Sequence, residues 1–218
     1  MSDKIFSVNE IFSSIDGEGI RTGYLTTFIR LNGCNLKCSY CDTKYAQKPE
    51  KPNYSIDEIL AKVREIGNQR ITLTGGEPLI HNQVKLLVEN LSFLGYEVNI
   101  ETNGAVPLPD SFCKLPGVII TMDWKCPSSG CNKAMNKGNL QKLTCIDVLK
   151  FVVGTEEDLQ EALRIYKMGL PCYFYLSPVF GKMEPKRIVE FMKENNMQFA
   201  TVQVQLHKII WDPNERGV

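Results

Sequence analysis

Three cysteines within eight residues constrain this chain more than any other feature. Cys34, Cys38 and Cys41 follow a C-x₃-C-x₂-C spacing in a short stretch that begins at Gly33. Cysteines so close together cannot all pair with one another as disulfides, whereas one loop that carries them can wrap a single metal cluster. A cubane held by three protein thiolates keeps one of its four irons open to another molecule. The spacing therefore predicts a cluster that performs chemistry as well as electron transfer.

Other interpretations of this loop are a structural zinc knuckle that lacks its fourth ligand, or three free thiols. Zinc sites usually show a second ligand pair at a set spacing, which disfavours the first. A non-enzymatic iron–sulfur scaffold or electron carrier is also conceivable, but it would want a fourth cysteine. Lys37 and Lys44 flank the cysteines, and we expect their positive charge to favour the thiolate form.

The composition suits a single domain over residues 1–218. The chain has 218 residues, is 43% hydrophobic and has a formal net charge of zero, so it carries no large field that would attract a polynucleotide or an anionic membrane. The first ten residues contain no apolar signal segment, and no stretch has the ~18 apolar residues of a spanning helix. We therefore expect a cytoplasmic protein whose eight cysteines stay mostly reduced.

Strand and helix patterns alternate along most of the chain. Runs rich in β-branched, apolar and aromatic residues predict strands at 24–31, 70–74, 98–100, 118–122, 148–153, 173–176 and 200–206. Apolar residues at helical spacing predict helices at 53–67, at 84–93, from about 155, and at 184–195. Capping-box patterns mark two helix starts, Ser55 with Glu58 and Thr155 with Asp158.

Six or seven strands that alternate with helices argue for an α/β fold with a parallel sheet. Because a full eight-unit barrel typically needs ~250 residues, we expect an incomplete, open TIM-type barrel of parallel strands with outer helices. Functional groups collect at the carboxyl ends of such strands. The segments predicted to lie there are the cysteine loop, 75–78, 101–104, 123–125 and 177–178.

Two further segments are irregular. The glycine-punctuated stretch 16–19 reads on local evidence as a hairpin turn, although such a turn also lets backbone amides approach a ligand closely. The stretch 125–141, rich in Pro, Ser, Gly, Asn and Lys, predicts a long functional loop.

The cysteine spacing, with the aromatic Tyr40 before the last cysteine, resembles the signature of the radical S-adenosylmethionine enzymes. The segment 75–78, Gly-Gly-Glu-Pro, is similar to their GGEP motif. The resemblance implies a [4Fe-4S] cluster whose open iron is chelated by the amino and carboxylate groups of S-adenosylmethionine. One electron from the cluster cleaves this cofactor to methionine and a 5′-deoxyadenosyl radical, which abstracts a hydrogen atom from the substrate.

The same resemblance implies which residues meet S-adenosylmethionine, namely Gly75, Gly76, Glu77, Pro78, Gly104, Asp123, Lys125, Ser128, Ser177 and Pro178. It implies no separate catalytic side chain, because the radical forms at the bound cofactor. Auxiliary clusters in the superfamily use more cysteines than Cys126 and Cys131, so we expect a single cluster.

Three features resemble the 7-carboxy-7-deazaguanine synthase family: the turn 15–19, the Cys-Asp-Thr ending at 41–43, and Gln-Leu-His-Lys at 205–208. This resemblance implies that Thr43 holds Mg²⁺, for which a hydroxyl is a suitable hard ligand. It implies a pterin site formed by Ile15, Asp16, Gly17, Glu18, Arg30, Thr102, His207 and Lys208. The guanidinium of Arg30 suits a substrate carboxylate, which it can clamp bidentately.

The implied reaction is ring contraction of 6-carboxy-5,6,7,8-tetrahydropterin to 7-carboxy-7-deazaguanine with loss of ammonia, on the way to deazapurines such as queuosine. An external one-electron reductant such as flavodoxin or ferredoxin is expected, and an open barrel edge invites a homodimer. We expect no direct contact with nucleic acid or membrane.

The alternative is an activating enzyme that makes a glycyl radical on a partner protein. The run Asp16-Gly-Glu-Gly-Ile-Arg21 is similar to a segment of such activases. Three features disfavour the activase. Glu18 lies where activases usually have proline, the cysteine loop ends in Cys-Asp-Thr at 41–43, and His-Lys follows at 207–208. Many synthases have Gln where this chain has Asp16.

Overall fold

Eight strands run side by side in the order in which they occur in the chain. A computed structural model describes residues 3–213 and 215–218. The strands are β1 Val8–Ile15, β2 Leu25–Leu31, β3 Arg70–Gly75, β4 Glu97–Thr102, β5 Val118–Asp123, β6 Val148–Val153, β7 Tyr173–Pro178 and β8 Ala200–Val202. All neighbours from β2 to β8 are parallel, and β1 is antiparallel to β2. Since β1 and β8 form the two edges, the barrel is incomplete, as predicted.

Helices follow most of the parallel strands, as βαβ connections require. They are α1 Ile56–Ile66, α2 Val84–Phe93, α3 Glu156–Tyr166, α4 Pro185–Glu194 and the short α5 His207–Ile210. Both predicted capping boxes are present at the starts of α1 and α3. Within the described ranges, no helix is both long and apolar enough to cross a membrane.

The two faces of the sheet differ in polarity. On β3, Ile71 and Leu73 are fully buried among the apolar residues that the helices cover. The intervening Thr72 points to the other face, where its hydroxyl lies 3.3 Å from that of Thr26 on β2. On the same face, Thr121 donates to Asn99 at 2.9 Å. The barrel interior is therefore polar and hydrogen-bonded rather than filled by aliphatic side chains.

The last predicted strand, 200–206, is wrong in its second half. β8 ends at Val202, because the chain then turns away from the sheet to the stretch 16–19. The Gln203 side chain accepts from Gly19 N at 2.6 Å and donates to Gly19 O at 3.0 Å. The Leu206 amide donates to Gly17 O at 3.0 Å. These tertiary hydrogen bonds replace the ladder that a longer strand would form.

Two more expectations differ in detail from the structure. The strands number eight rather than six or seven, because the residues before the turn form β1, which pairs with β2 as a hairpin. The stretch 125–141, predicted as a long loop, is a long connection that contains the 3₁₀ helices Pro127–Ser129 and Asn132–Ala134 and most of a third, Lys137–Lys142. Such short helices show no hydrophobic periodicity in the sequence, because turn-forming residues and small side chains dominate them.

Candidate active site

A cavity of about 280 Å³ opens at the carboxyl ends of the strands. It is lined by most of the residues that the sequence singled out: Ile15, Gly17, Glu18, Arg30, Cys34, Cys38, Cys41, Thr43, Gly75, Gly76, Thr102, Asp123, Lys125, His207 and Lys208. Residues from seven separate stretches of chain thus meet in one place. This is the end of a parallel α/β sheet at which ligands bind.

The three cysteines are half-buried on one wall of this cavity. Cys34 Sγ accepts hydrogen bonds from the Leu36 amide at 3.4 Å and from Asn103 Nδ2 at 3.7 Å. Donors of this kind stabilise a thiolate and tune a cluster. Among the described residues, no three His, Cys, Asp or Glu side chains converge on a point suited to one metal ion.

The main cation that acts on Cys38 is not one of the lysines next to the cysteines in sequence. Burial raises the pKa of Cys34, and it raises the pKa of Cys38 to about 12. The cation that opposes burial at Cys38 is Lys125, which reaches in from the end of β5, whereas Lys37 and Lys44 point to solvent. Because burial makes the Cys34 and Cys38 thiols hold their protons more tightly, binding of iron at these two residues has to displace those protons.

The glycines of the GGEP segment are required by packing. A Cβ on Gly75 would lie 2.1 Å from Leu31 O, and one on Gly76 would lie 2.1 Å from Gly33 O. The Gly76 amide donates to Leu31 O at 3.0 Å. The main chain of both glycines also lines the cavity. This close approach holds the turn against the start of the cysteine loop and leaves bare backbone facing a ligand.

Glu77 lies beneath this turn and is fully buried. Its carboxylate accepts from the Leu79 amide at 2.9 Å, from the Thr102 hydroxyl at 2.8 Å and from the Asn103 amide at 2.6 Å. Burial raises the pKa of Glu77, and these three donors oppose that shift. The residue thus ties the turn after β3 to the end of β4.

A buried charge network forms one side of the cavity. Lys150 on β6 lies 3.1 Å from a Glu18 carboxylate oxygen and 3.2 Å from Asp123 Oδ1, and Lys125 pairs with the other Asp123 oxygen at 3.0 Å. The two lysines hold the pKa of Asp123 below its usual value despite its burial. Lys150 is not among the predicted site residues, although a single lysine inside the apolar run 148–153 is a signal for such a role.

Arg30 and Thr43, the residues expected to bind the substrate carboxylate and Mg²⁺, both line the cavity. Arg30 Nε donates to Glu10 at 2.7 Å, and the guanidinium lies over the Tyr45 ring. The Thr43 hydroxyl donates to Asp42 at 3.1 Å. The other Asp42 oxygen accepts from Lys208 at 2.8 Å, and this ion pair lowers the pKa of Asp42 to about 2.

The C-terminal segment closes the open side of the barrel. The His207 ring lies directly on Gly17, where a Cβ would come within 2.0 Å of His207 Nδ1. Further along, Arg216 stacks on Tyr45 with 3.8 Å from guanidinium carbon to ring centroid. Residues 212, 213 and 215–218 also line the cavity. The resemblance implies that terminal residues can close the substrate pocket, but it leaves open which of residues 211–218 do so, because no motif marks them.

Seven predicted contacts lie outside the cavity lining and stay predictions: Asp16, Glu77, Pro78, Gly104, Ser128, Ser177 and Pro178. The Ser128 hydroxyl donates to the buried Asp158 at 2.5 Å. The Ser177 hydroxyl is buried without a partner among the described residues. Asp16 lies deeper in the barrel interior, where it accepts from Thr72 at 2.8 Å.

Comparisons with known proteins agree with this geometry. The model of the radical SAM superfamily matches residues 28–194. A 7-carboxy-7-deazaguanine synthase of Clostridium acetobutylicum is 43% identical over 98% of this chain and 99% of that protein. Another from Methanospirillum hungatei is 42% identical over 94% of this chain and 86% of that protein. The crystal structure of QueE from Escherichia coli is similar with a TM-score of 0.73 at 25% identity, over 93% of this chain and 94% of that chain.

The fold, the cysteine loop and the match to the superfamily model together define a radical S-adenosylmethionine enzyme. Its cofactors are accordingly a [4Fe-4S] cluster and S-adenosylmethionine. Within that superfamily the chain belongs to the 7-carboxy-7-deazaguanine synthases, since full-length relatives of that name are more than 40% identical to it.

Replacing Gly76 by Ala should disrupt the cysteine loop, because the added methyl group has to push away the Gly33 carbonyl. We expect a loss of roughly 2–4 kcal/mol of unfolding free energy and of most bound iron. Iron analysis after anaerobic reconstitution and urea unfolding measure the two effects. Gly138→Ala is the control, because its Cβ would approach only the tip of Asn136. Normal iron content in the Gly76 variant would contradict this account.

Asp16 should make the protein less stable as pH rises. Burial is the main cause that raises its pKa from 3.8 to about 7, and Oδ2 has no partner among the described residues. Between these two pH values the folded state holds a proton that the unfolded state has lost, so unfolding free energy falls with rising pH.

The variant Asp16→Asn removes this titration. We expect it to gain roughly 2–4 kcal/mol over the parent at pH 8 and little at pH 4. Urea unfolding of both proteins across this range measures the difference. A difference that does not change with pH would show that the carboxyl group does not titrate as described.

Proposed function

We propose that this chain converts 6-carboxy-5,6,7,8-tetrahydropterin to 7-carboxy-7-deazaguanine with loss of ammonia, in the biosynthesis of deazapurines such as queuosine. One observation carries the proposal above others. The three cysteines, the residues Ile15, Gly17 and Glu18, and the pair His207 and Lys208 line a single cavity, although they are up to about 190 residues apart in sequence. The names of the full-length relatives support the same reaction.

The residues suit the two cofactors. Cys34, Cys38 and Cys41 would hold the cluster, and the bare backbone of Gly75 and Gly76 offers polar main-chain groups to the amino acid end of S-adenosylmethionine. When bound, cluster and S-adenosylmethionine supply the radical that takes a hydrogen atom from C6 of the substrate and later returns it. The described residues bind and orient the substrate and shield it from water.

Several side chains suit the substrate. Among the described residues, the terminal nitrogens of Arg30 make no hydrogen bond, so they can clamp a carboxylate. One oxygen of Glu18 is buried without a partner, while Lys150 holds the other. That free oxygen can accept N–H groups from a pterin ring. These contacts would orient the ring and exclude water during rearrangement.

A magnesium ion fits beside Thr43. Its hydroxyl and the adjacent Asp42 carboxylate are hard oxygen donors at the cavity wall. Because few protein ligands are present, oxygens of the substrate and water would complete an octahedral shell. A metal in this position would orient the substrate carboxylate, which is the templating role of metal catalysis.

The cavity favours a small molecule over a polypeptide glycyl loop. The chain's own end covers it through Lys208 on Asp42 and Arg216 on Tyr45. An activating enzyme would need an open groove for a partner's backbone. The C-terminal cover therefore supports the synthase and not the activase.

The assembly, domain organisation and compartment are further parts of the proposal. The chain would act as one domain over residues 1–218, in the cytoplasm, where its eight unpaired cysteines stay reduced. It would form a homodimer that covers the short edge strand β8, whose neighbouring side chains Phe199, Val204, Ile209 and Ile210 are exposed.

The reaction is tested with reconstituted protein, dithionite, S-adenosylmethionine, Mg²⁺ and the tetrahydropterin under anaerobic conditions, where a deazaguanine chromophore should form. Thr43→Ala should lower kcat roughly 10- to 100-fold while the cluster absorbance is unchanged, because a metal ligand is lost. Thr43→Ser keeps the hydroxyl and should restore turnover. No product from the parent, together with a glycyl radical EPR signal on an added partner, would favour the activase.

The dimer is tested by light scattering after size exclusion. Phe199→Glu should give a monomer, because it places charge beside the edge strand. Phe93→Glu on α2 is the matched control, since these phenylalanines are 85% and 76% exposed. A monomeric parent protein would overturn the dimer without affecting the proposed reaction.

A further inference from the structure

Cys131 lies beside the cysteine loop, although the proposed reaction does not use it. It belongs to the connection that follows β5, and it does not line the cavity. The Ser39 amide donates to Ser129 O at 3.0 Å, and the Ser39 hydroxyl donates to Ser128 O at 2.7 Å. Because Ser39 directly follows Cys38 in the chain, these two hydrogen bonds bring the connection against that cysteine.

The turn that carries Cys131 is itself held by hydrogen bonds. The buried Ser129 hydroxyl donates to Cys126 O at 2.6 Å and accepts from the Cys131 amide at 3.0 Å. One side chain thus joins both ends of the turn, while the main chain of the same residue is bonded to the cysteine loop. The backbone of Cys131 is therefore fixed relative to that loop.

The Cys38 and Cys131 thiols are in hydrogen-bond contact. Burial is the main cause that raises the pKa of Cys38, and Cys131 adds to this rise more than Cys41 does, although Cys41 belongs to the same loop. The third cysteine of the loop has other partners, since Cys34 Sγ accepts from the Leu36 amide and from Asn103. Cys131 is thus well placed to react with Cys38.

Cys126, the other cysteine of this connection, is not placed for such a reaction. Its side chain is fully buried, and its thiol donates to Trp124 O at 3.7 Å. Cys131 is partly exposed, so a small molecule can reach it. The two cysteines of one short segment therefore differ in what they can react with.

We propose that Cys131 forms a disulfide with Cys38 when the iron–sulfur cluster is lost. We call these two residues the redox pair. The inference rests on the proposed function in one respect, the assignment of the cluster to the three cysteines of the loop. While iron holds the Cys38 sulfur, that sulfur cannot bond to Cys131. Once iron has left, the two sulfurs lie in contact and can be joined.

The oxidant is a small-molecule disulfide, such as oxidised glutathione. The Cys131 thiolate attacks one sulfur of the oxidant, which forms a mixed disulfide and releases one thiol. The Cys38 sulfur then attacks the Cys131 sulfur, which forms the protein disulfide and releases the second thiol. The redox pair loses two electrons and two protons, and the oxidant gains both.

This disulfide blocks and protects the empty cluster site. It occupies one of the three ligands, so the chain cannot bind a complete cluster until a reductant opens the bond. It also keeps Cys38 from oxidation to sulfinic and sulfonic acids, which are not recovered by thiols. Disulfides in reducing compartments are usually transient or redox-sensing. The redox pair thus makes cluster binding depend on a reduced thiol pool.

The test compares the full chain with and without its cluster. Reconstituted protein is divided, and a chelator removes iron from one half under reducing conditions. Both halves are then freed of reductant, treated anaerobically with oxidised glutathione, alkylated and digested with trypsin. Trypsin leaves Cys38 and Cys41 on the peptide 38–44, and Cys126 and Cys131 on the peptide 126–133. Mass spectrometry shows whether the two peptides are joined.

In the iron-free parent, most of the peptide 38–44 should be joined to 126–133. Fragment ions should place the bond between residues 38 and 131, and a phosphine reductant should remove it. The half that keeps its cluster should give roughly tenfold less of the joined peptides, because a thiolate held by metal is not free to exchange.

The variant Cys131→Ser should abolish the joined peptides, while its iron content after reconstitution matches the parent. Cys126→Ser is the matched control. It removes a thiol from the same tryptic peptide, but one that is fully buried, so the yield of joined peptides should equal that of the parent.

Joined peptides that persist in Cys131→Ser would overturn the redox pair, as would a bond from Cys38 to Cys34 or Cys41 in the parent. An equal yield with the cluster in place would do so too, because loss of iron would then not be required. A parent that binds no iron would overturn the cluster assignment of the proposed function. The peptide map of the iron-free chain would still decide whether the two cysteines pair.

Discussion

The close packing of two backbones underlies the rest of this structure. The turn after β3 can approach the start of the cysteine loop only because residues 75 and 76 have no side chain, and each would otherwise collide with a carbonyl of residues 31 or 33. Glu77 then fixes that turn to the end of β4 through three hydrogen bonds. One contact thus sets the position of the cluster ligands, of the bare backbone beside them, and of the neighbouring strand end. A cofactor site built on loops gains its rigidity in this way.

Polarity inside the barrel is the second constraint. Threonines and Asn99 line the interior, and charged residues lie above them at the strand ends. Lys150 is compensated by Glu18 from the turn before β2 and by Asp123 from β5, so three distant segments neutralise one another. Burying such charges is tolerable only when they are paired. The same pairing leaves one Glu18 oxygen free and makes the cavity suited to a polar, hydrogen-bonding substrate.

Much of the fold and site could be predicted because it depends on local patterns. Runs of β-branched, apolar and aromatic residues identified β2 to β7, helical spacing identified helices that match α1 to α4, and capping residues located helix starts within a residue or two. The cysteine spacing and the Gly-Gly turn depend on adjacent residues, so they are visible in sequence. Prediction failed where tertiary hydrogen bonds replaced local ones, as after Val202, and local patterns did not show charge that comes from another strand, as with Lys125 beside Cys38.

The sequence by itself determined the chemistry: three thiolates spaced for a cluster, a glycine turn for a cofactor, and an alternation that demands a parallel sheet. Only the tertiary structure decided what closes the site and what surrounds it. The C-terminal segment lies across residues 17–19 and 42 because the sheet is open and its polar interior has to be covered. The stretch with Ser128 and Ser129 packs on the cysteine loop through hydrogen bonds from Ser39, a proximity that no spacing along the chain encodes.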